Sequence, residues 1–153
     1  MKLVDFCHLA VMAIVGIPIS LSDFRHHKIY NRDLLASLIL FIPLLATSVV
    51  TSHQVARFYR SLLYALIFFC AQYILVSIRG SALGMGDVKL LSLIAVTLSL
   101  SSLHQYQVWL FWIASIAGIT ALWDAVKWRT IGGRIAFAPS VFAGTLAYLA
   151  TRI

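Results

Sequence analysis

Acidic side chains are scarce in this chain. It has no glutamate and only five aspartates, against twelve lysines and arginines. A carboxylate in or at the edge of lipid is costly, so in an apolar chain each one becomes a functional candidate. Cysteine is scarce too. Cys7 and Cys70 stand far apart in apolar surroundings without CxxC spacing. No zinc site or disulfide framework is indicated, and each reads as a small apolar residue. Period-two alternation is also missing. Runs such as LIFFCAQYILV (66–76) are continuously apolar, which counts against a β-barrel. There is no low-complexity stretch, clear repeat or linker.

What is present is apolar: 61% of 153 residues, with a mean hydropathy of +0.94, against ~45–50% for a typical soluble domain. At ~20 residues per crossing there is room for about six helices and little else. The reading is therefore all-α, a polytopic integral membrane protein of about six transmembrane helices, with residues 1–153 forming a single membrane-embedded domain. Spans are expected near 3–22, 34–51, 58–78, 88–103, 106–124 and 135–151. Residues 3–21 read as a retained helix, because the basic cluster follows the apolar run and no signal-peptidase-like site is present.

The net charge of +7 would suggest nucleic acid in a soluble protein. Here it is better read as topology, with no nucleic acid as partner. The loops after spans 1, 3 and 5 hold Arg25, Lys28, Arg32, Arg79, Lys89, Lys127, Arg129 and Arg134, eight bases, while Lys2, Arg57, Arg60 and Arg152 make four on the other side. By the positive-inside rule the first side is cytoplasmic and both termini face outward. Asp23, at the end of the first apolar run, and Asp87, at the start of the fourth, then fall on the same cytoplasmic side.

Asp87 lies in GMGDVKL (84–90). Glycine permits φ > 0 and a close approach of another chain, so Gly84 and Gly86 could admit an extended substrate beside Asp87. The bland reading is a turn with Asp87 as N-cap. Asp23 lies in SDFRHHKIYN (22–31). Its bland reading is a basic loop in which Asp23 pairs with Arg25 or Lys28 and Asn31 caps the second span. Against it, an acid at a helix C-terminus is disfavoured by the macrodipole.

One chemistry uses both residues. Two carboxylates a few ångströms apart cannot both ionise cheaply and share a proton. The ionised member takes a proton from an attacking water, and the protonated member assists the scissile carbonyl and the leaving amine. No metal, serine nucleophile or cofactor is required. Which aspartate is the acid stays open.

Together the motifs resemble the type IV prepilin peptidase family of GxGD membrane aspartic leader peptidases. Asp23 is followed by RHHK and by Ile29, Tyr30 and Asn31, similar to the family's I-P-N-like tripeptide. Gly84, Gly86, Asp87 and Lys89 match GxGDxK, and RIAFAPSVFAG (134–144) loosely matches a late Pro/Gly/Phe-rich segment. Tyr30 stands where the family has proline, and Ala136 where an Ile-Pro-Phe pattern has another, which bears on loop rigidity more than on chemistry. The resemblance implies catalysis by Asp23 and Asp87, with Gly84, Gly86, Lys89 and Asn31 binding substrate or shaping the site. It also implies a basic leader cut from type IV pilin-like precursors at the cytoplasmic face of a bacterial inner membrane. With no CxxC-bearing extension, the short peptidase-only form is expected.

A non-enzymatic membrane scaffold or assembly partner of a pilus or secretion system is the alternative, and a transporter with a carboxylate relay is the third. Lower-ranked readings are Lys89 as a snorkelling lysine, Asp124 and Lys127 as an exposed pair, and Asp33 as an N-cap. His26 and His27 are read as loop residues. Pro139 is expected to kink or start span 6, and Trp109, Trp112, Trp123 and Trp128 to form interfacial belts.

Overall fold

The computed structural model describes residues 3–26, 28–52, 55–79, 84–128 and 136–152. In lipid every backbone polar group needs a partner within the protein, which favours helices. The described residues form six: α1 (Leu3–His26), α2 (Asn31–Ser52), α3 (Val55–Arg79), α4 (Met85–Thr97), α5 (Leu103–Trp128) and α6 (Ala138–Arg152). Among the described residues two helices are long and apolar enough to cross a membrane, over Val55–Ile78 and Leu103–Lys127. They turn large apolar side chains outward, including Leu62, Leu66, Ile74 and Ile78 on α3 and Phe111, Ile119, Leu122 and Val126 on α5. A water-soluble surface rarely carries apolar patches of that extent.

The shorter helices depart from the expected spans. Hydropathy predicts 88–103 for the fourth, whereas α4 runs from Met85 to Thr97, about 20 Å at 1.5 Å per residue. It starts early because Asp87 folds back on Gly84, which makes Gly84 the cap and puts Met85, Gly86 and Asp87 in the first helical turn rather than in a turn before it. It stops early in a Schellman turn: Ser99 N–H donates to Val96 O (2.9 Å) and Leu100 N–H to Ala95 O (3.3 Å), with Ser99 at φ 51°. Hydropathy cannot see that stop, because Leu98 and Leu100 on either side are apolar and buried. Helix α1, expected to end near Asp23, continues to His26. Helix α6 begins at Ala138, with Pro139 in its first turn where no N–H is needed. Arg129, Arg134, His27, Lys2 and the start expected for span 6 at 135 lie outside the described residues, as do the side chains of Cys7, Arg79, Trp128 and Arg152.

The six helices share one core, in which Phe68 of α3 packs on Tyr106 and Trp109 of α5. Helix α6 packs against α5 and α1, and α4 packs against α3 and α2; α2 is the helix that packs substantially on both α1 and α4. Helix α4 is the inner one, burying Val88, Leu90, Leu91, Ile94 and Ala95.

Trp109 is not an interfacial anchor. It is wholly buried, its ring edge to face with Phe68 of α3 and Tyr106, and its indole N–H donates to Thr145 Oγ1 of α6 at 3.0 Å, so its polar handle is satisfied in the α5–α6 seam. Trp112 packs partly against the core, and Trp123 is exposed. The same seam closes at Gly144, where a Cβ would lie 2.6 Å from Ile113 Cα. Gly144→Ala is therefore expected to cost about 1–3 kcal/mol by overpacking. Gly118→Ala, with nothing within 4 Å of the added carbon, should be neutral or slightly stabilising. Thermal unfolding of both variants in one detergent checks this; equal midpoints would show that the seam is not tightly closed.

Candidate active site

The α1–α2 link, the start of α4 and the start of α6 meet at one end of the bundle. Asp23 and Asp87, 64 positions apart in sequence, line one cavity of about 360 Å³ there, together with Lys28, Ile29, Tyr30, Asn31, Gly84 and Gly86.

Asp23 is buried in the last turns of α1. Its Oδ2 accepts a 2.9 Å hydrogen bond from Ala138 N–H, the first residue of α6. The first amides of a helix have no intrahelical partner, and the helix dipole favours negative charge there. The unfavourable position of an acid near the end of α1 is thus offset by the start of α6. Among the described residues Asp23 forms no ion pair with Arg25 or Lys28, the pairing that the bland reading requires.

Asp87 stands in the first turn of α4, ahead of the apolar run that begins at Val88. It is not the N-cap. Gly84 is, and Asp87 Oδ2 accepts Gly84 N–H at 3.0 Å while Asp87 N–H donates to Gly84 O at 3.0 Å. Burial raises the Asp87 carboxyl above the ordinary aspartate range, the Gly84 hydrogen bond lowers it, and the charge of Asp23 raises it further. The net direction is upward. The neighbouring Asp23 carboxylate is one of the causes.

The other predicted site residues are arranged around this pair. Gly86 is helical and faces the protein's own α1–α2 link, since a Cβ on it would lie 3.0 Å from Ile29 Cβ and 3.3 Å from Ile29 O. Gly84 is exposed, and a Cβ there would come within 3.2 Å of Asp87 Oδ2. Lys89 Nζ donates to Asn31 Oδ1 at 3.0 Å. Asn31 is the first residue of α2 rather than its cap; Tyr30 O takes the Asp33 and Leu34 amides. Asp33 sits in the first turn of α2, 3.8 Å from Arg32 Nε. Asp124 and Lys127 lie in the last turns of α5 and do not line the cavity. No group of three or more His, Cys, Asp or Glu side chains suited to a metal occurs among the described residues.

Sequence reasoning missed two participants. Lys28 lines the cavity but reads in sequence as one more topological base. The Ala138 amide has no side-chain signature at all; its one sequence signal is Pro139, a residue typical of a helix start.

A family model, that of the type IV leader peptidase family, matches residues 10–149. No curated protein matches the chain, and no solved structure does.

Proposed function

The chain belongs to the type IV leader peptidase family, whose members are membrane-embedded, aspartic-type leader peptidases, and on that premise we propose that Asp23 and Asp87 are its catalytic dyad. The protein is then an intramembrane aspartic endopeptidase, polytopic and of about six membrane helices, that removes the basic leader from type IV prepilin-like precursors. It works at the cytoplasmic face of a bacterial inner membrane, and residues 1–153 act as one peptidase domain.

The observation that carries the reading is the shared cavity: the two aspartates, on helices distant in sequence, face one space of about 360 Å³. In this scheme the proton shared by the dyad is placed on Asp87. Asp23, with one oxygen held by Ala138 N–H, uses the other to take a proton from water as that water attacks the scissile carbonyl. Asp87 gives its proton to the developing oxyanion of the tetrahedral intermediate. On collapse of the gem-diol, Asp23 passes its new proton to the leaving nitrogen as the C–N bond breaks, and Asp87 takes one back from a diol hydroxyl. This restores the dyad and yields a carboxylic acid on the leader and a free amine on the mature chain.

The experiment is to incubate purified protein with a prepilin-like precursor encoded beside it and to sequence the new N-terminus. Cleavage behind the basic leader is expected. An intact precursor under conditions where the protein is folded would favour the scaffold alternative.

Topology provides a second check. The cavity end collects Lys28, Arg32 and Lys89, and the opposite end carries the α4–α5 link through Ser102. Reporter fusions after Arg32 and Lys127 are expected to read cytoplasmic, and fusions at Ser102 external. An external signal at Arg32 would overturn the cytoplasmic-face assignment.

A further inference from the structure

The two aspartates stand on helices that hardly touch. Asp23 is on α1, which packs on α6, and Asp87 is on α4, which packs on α3; α1 and α4 share little direct packing, α2 touches both substantially, and α3 meets α5 through Phe68 against Tyr106 and Trp109. Something other than an α1–α4 seam has to set the distance between the acids.

We propose that the α1–α2 link is a clasp, in which Ile29 and Asn31, fastened to Gly86 and Lys89 of α4, hold the helix carrying Asp87 at its working distance from Asp23. The inference rests on the aspartic reading of the site, and it gives the two glycine–lysine motif positions a positioning role rather than a catalytic one.

Each end of the link is tied. On the α1 side, Ser22 Oγ donates to Lys28 O at 3.5 Å, and the His26 and Tyr30 rings meet edge to face at 6.4 Å. On the α2 side, the Tyr30 carbonyl accepts two amides of the first turn, so the link enters the helix without slack. In the middle, Ile29 lies against Gly86 so closely that a methyl there would meet its Cβ at 3.0 Å and its carbonyl oxygen at 3.3 Å. Beyond it, Asn31 Oδ1 receives the Lys89 ammonium at 3.0 Å. Gly86 and Lys89 are three positions apart on α4, hence on one face, one turn from Asp87 at most. A shift of the link relative to α4 is therefore a shift of Asp23 relative to Asp87. A misplacement of about 1 Å between reacting groups can cost on the order of a hundredfold in rate.

Asn31→Ala is the informative variant. Asn31 is exposed and is the first residue of α2, and alanine suits a helix, so the fold should survive. The substitution changes no charge, whereas the charged groups around the cavity (Asp23, Asp87, Lys28 and Lys89) all remain. Spin labels are placed at exposed Arg25 on α1 and exposed Ile78 on α3, with Cys7 and Cys70 replaced by alanine. The distance distribution between them is measured by pulsed electron paramagnetic resonance in lipid nanodiscs. In Asn31→Ala it is expected to broaden or move outward, and in Lys89→Met likewise. The kcat for a prepilin-like precursor should fall about tenfold or more with KM little changed. With the acids further apart, the charge of Asp23 lifts Asp87 less, so the alkaline limb of the pH–rate profile in Asn31→Ala should move to lower pH.

An unchanged distance distribution in both variants overturns the clasp, whatever their activity. A pH profile scaled down but unmoved would overturn it too, leaving Asn31 a structural residue only. A shifted distance in a protein whose unsubstituted form cleaves no precursor would uphold the clasp and sink the peptidase reading, so the two failures stay separate.

Discussion

Asp23→Asn and Asp87→Asn are each expected to reduce cleavage of a prepilin-like precursor by about a thousandfold or more, because each removes a proton-transfer group on which the step depends. Two hydrogen bonds give the reason why the loss should be catalytic and not a folding failure. The amide oxygen introduced by Asp23→Asn can still accept Ala138 N–H, and the one introduced by Asp87→Asn can still accept Gly84 N–H, the contacts that seat these side chains. Each variant therefore keeps its anchor and its size, and loses only the ability to exchange a proton. Asp124→Asn, away from the cavity, is the matched control and should cleave at close to the unsubstituted rate. Single-turnover cleavage by detergent-purified variants of equal thermal stability is the measurement. Near-normal turnover by either dyad variant would end the shared-proton mechanism.

A change in the backbone, with no acid touched, should have the next largest effect. Ala138→Pro removes the N–H that holds Asp23 among the described residues and sets ring carbon against the carboxylate. Proline is well tolerated at the first helical position, so α6 should still form. Losing a hydrogen bond to a charged group costs about 1.5–3 kcal/mol, which corresponds to a fall in kcat of roughly 10- to 100-fold, and displacement of the carboxylate adds to it. Pro139→Ala leaves the amide in place and should have little effect on rate. A fully active, well-folded Ala138→Pro protein would show that Asp23 needs no support from α6.

Much of the fold was legible because hydropathy is a local, one-dimensional signal. The continuous runs around 66–76 and 106–124 mark α3 and α5, which meet the length and composition of membrane spans. The ends were less legible. Asp23 looked like the end of a helix and is inside one, since Arg25 and His26 favour one more turn at the C-terminus. GMGD read as a turn with Asp87 as the N-cap, whereas Gly84 is the cap and the helix starts at Met85, because an aspartate at the third position can serve the amide of the glycine that precedes the helix.

By itself the sequence determined an apolar helical protein, a sparse set of acids with two at helix ends, and basic links that bring those two to one side. These follow from residue chemistry read along the chain. Only the tertiary structure decided which apolar faces meet one another and which are left outside. Trp109 and Trp123 show the reason: in a chain this apolar, the residue that packs on a helix and the residue that faces outward are chemically alike, so hydropathy cannot separate them. It decided, too, that Asp23 is held by a backbone amide, a group every residue but proline carries and no sequence marks. The Lys89–Asn31 bond, 58 positions apart, was beyond reach for the same cause: a single contact fixed by the packing of α2 on α4 has no local pattern to announce it.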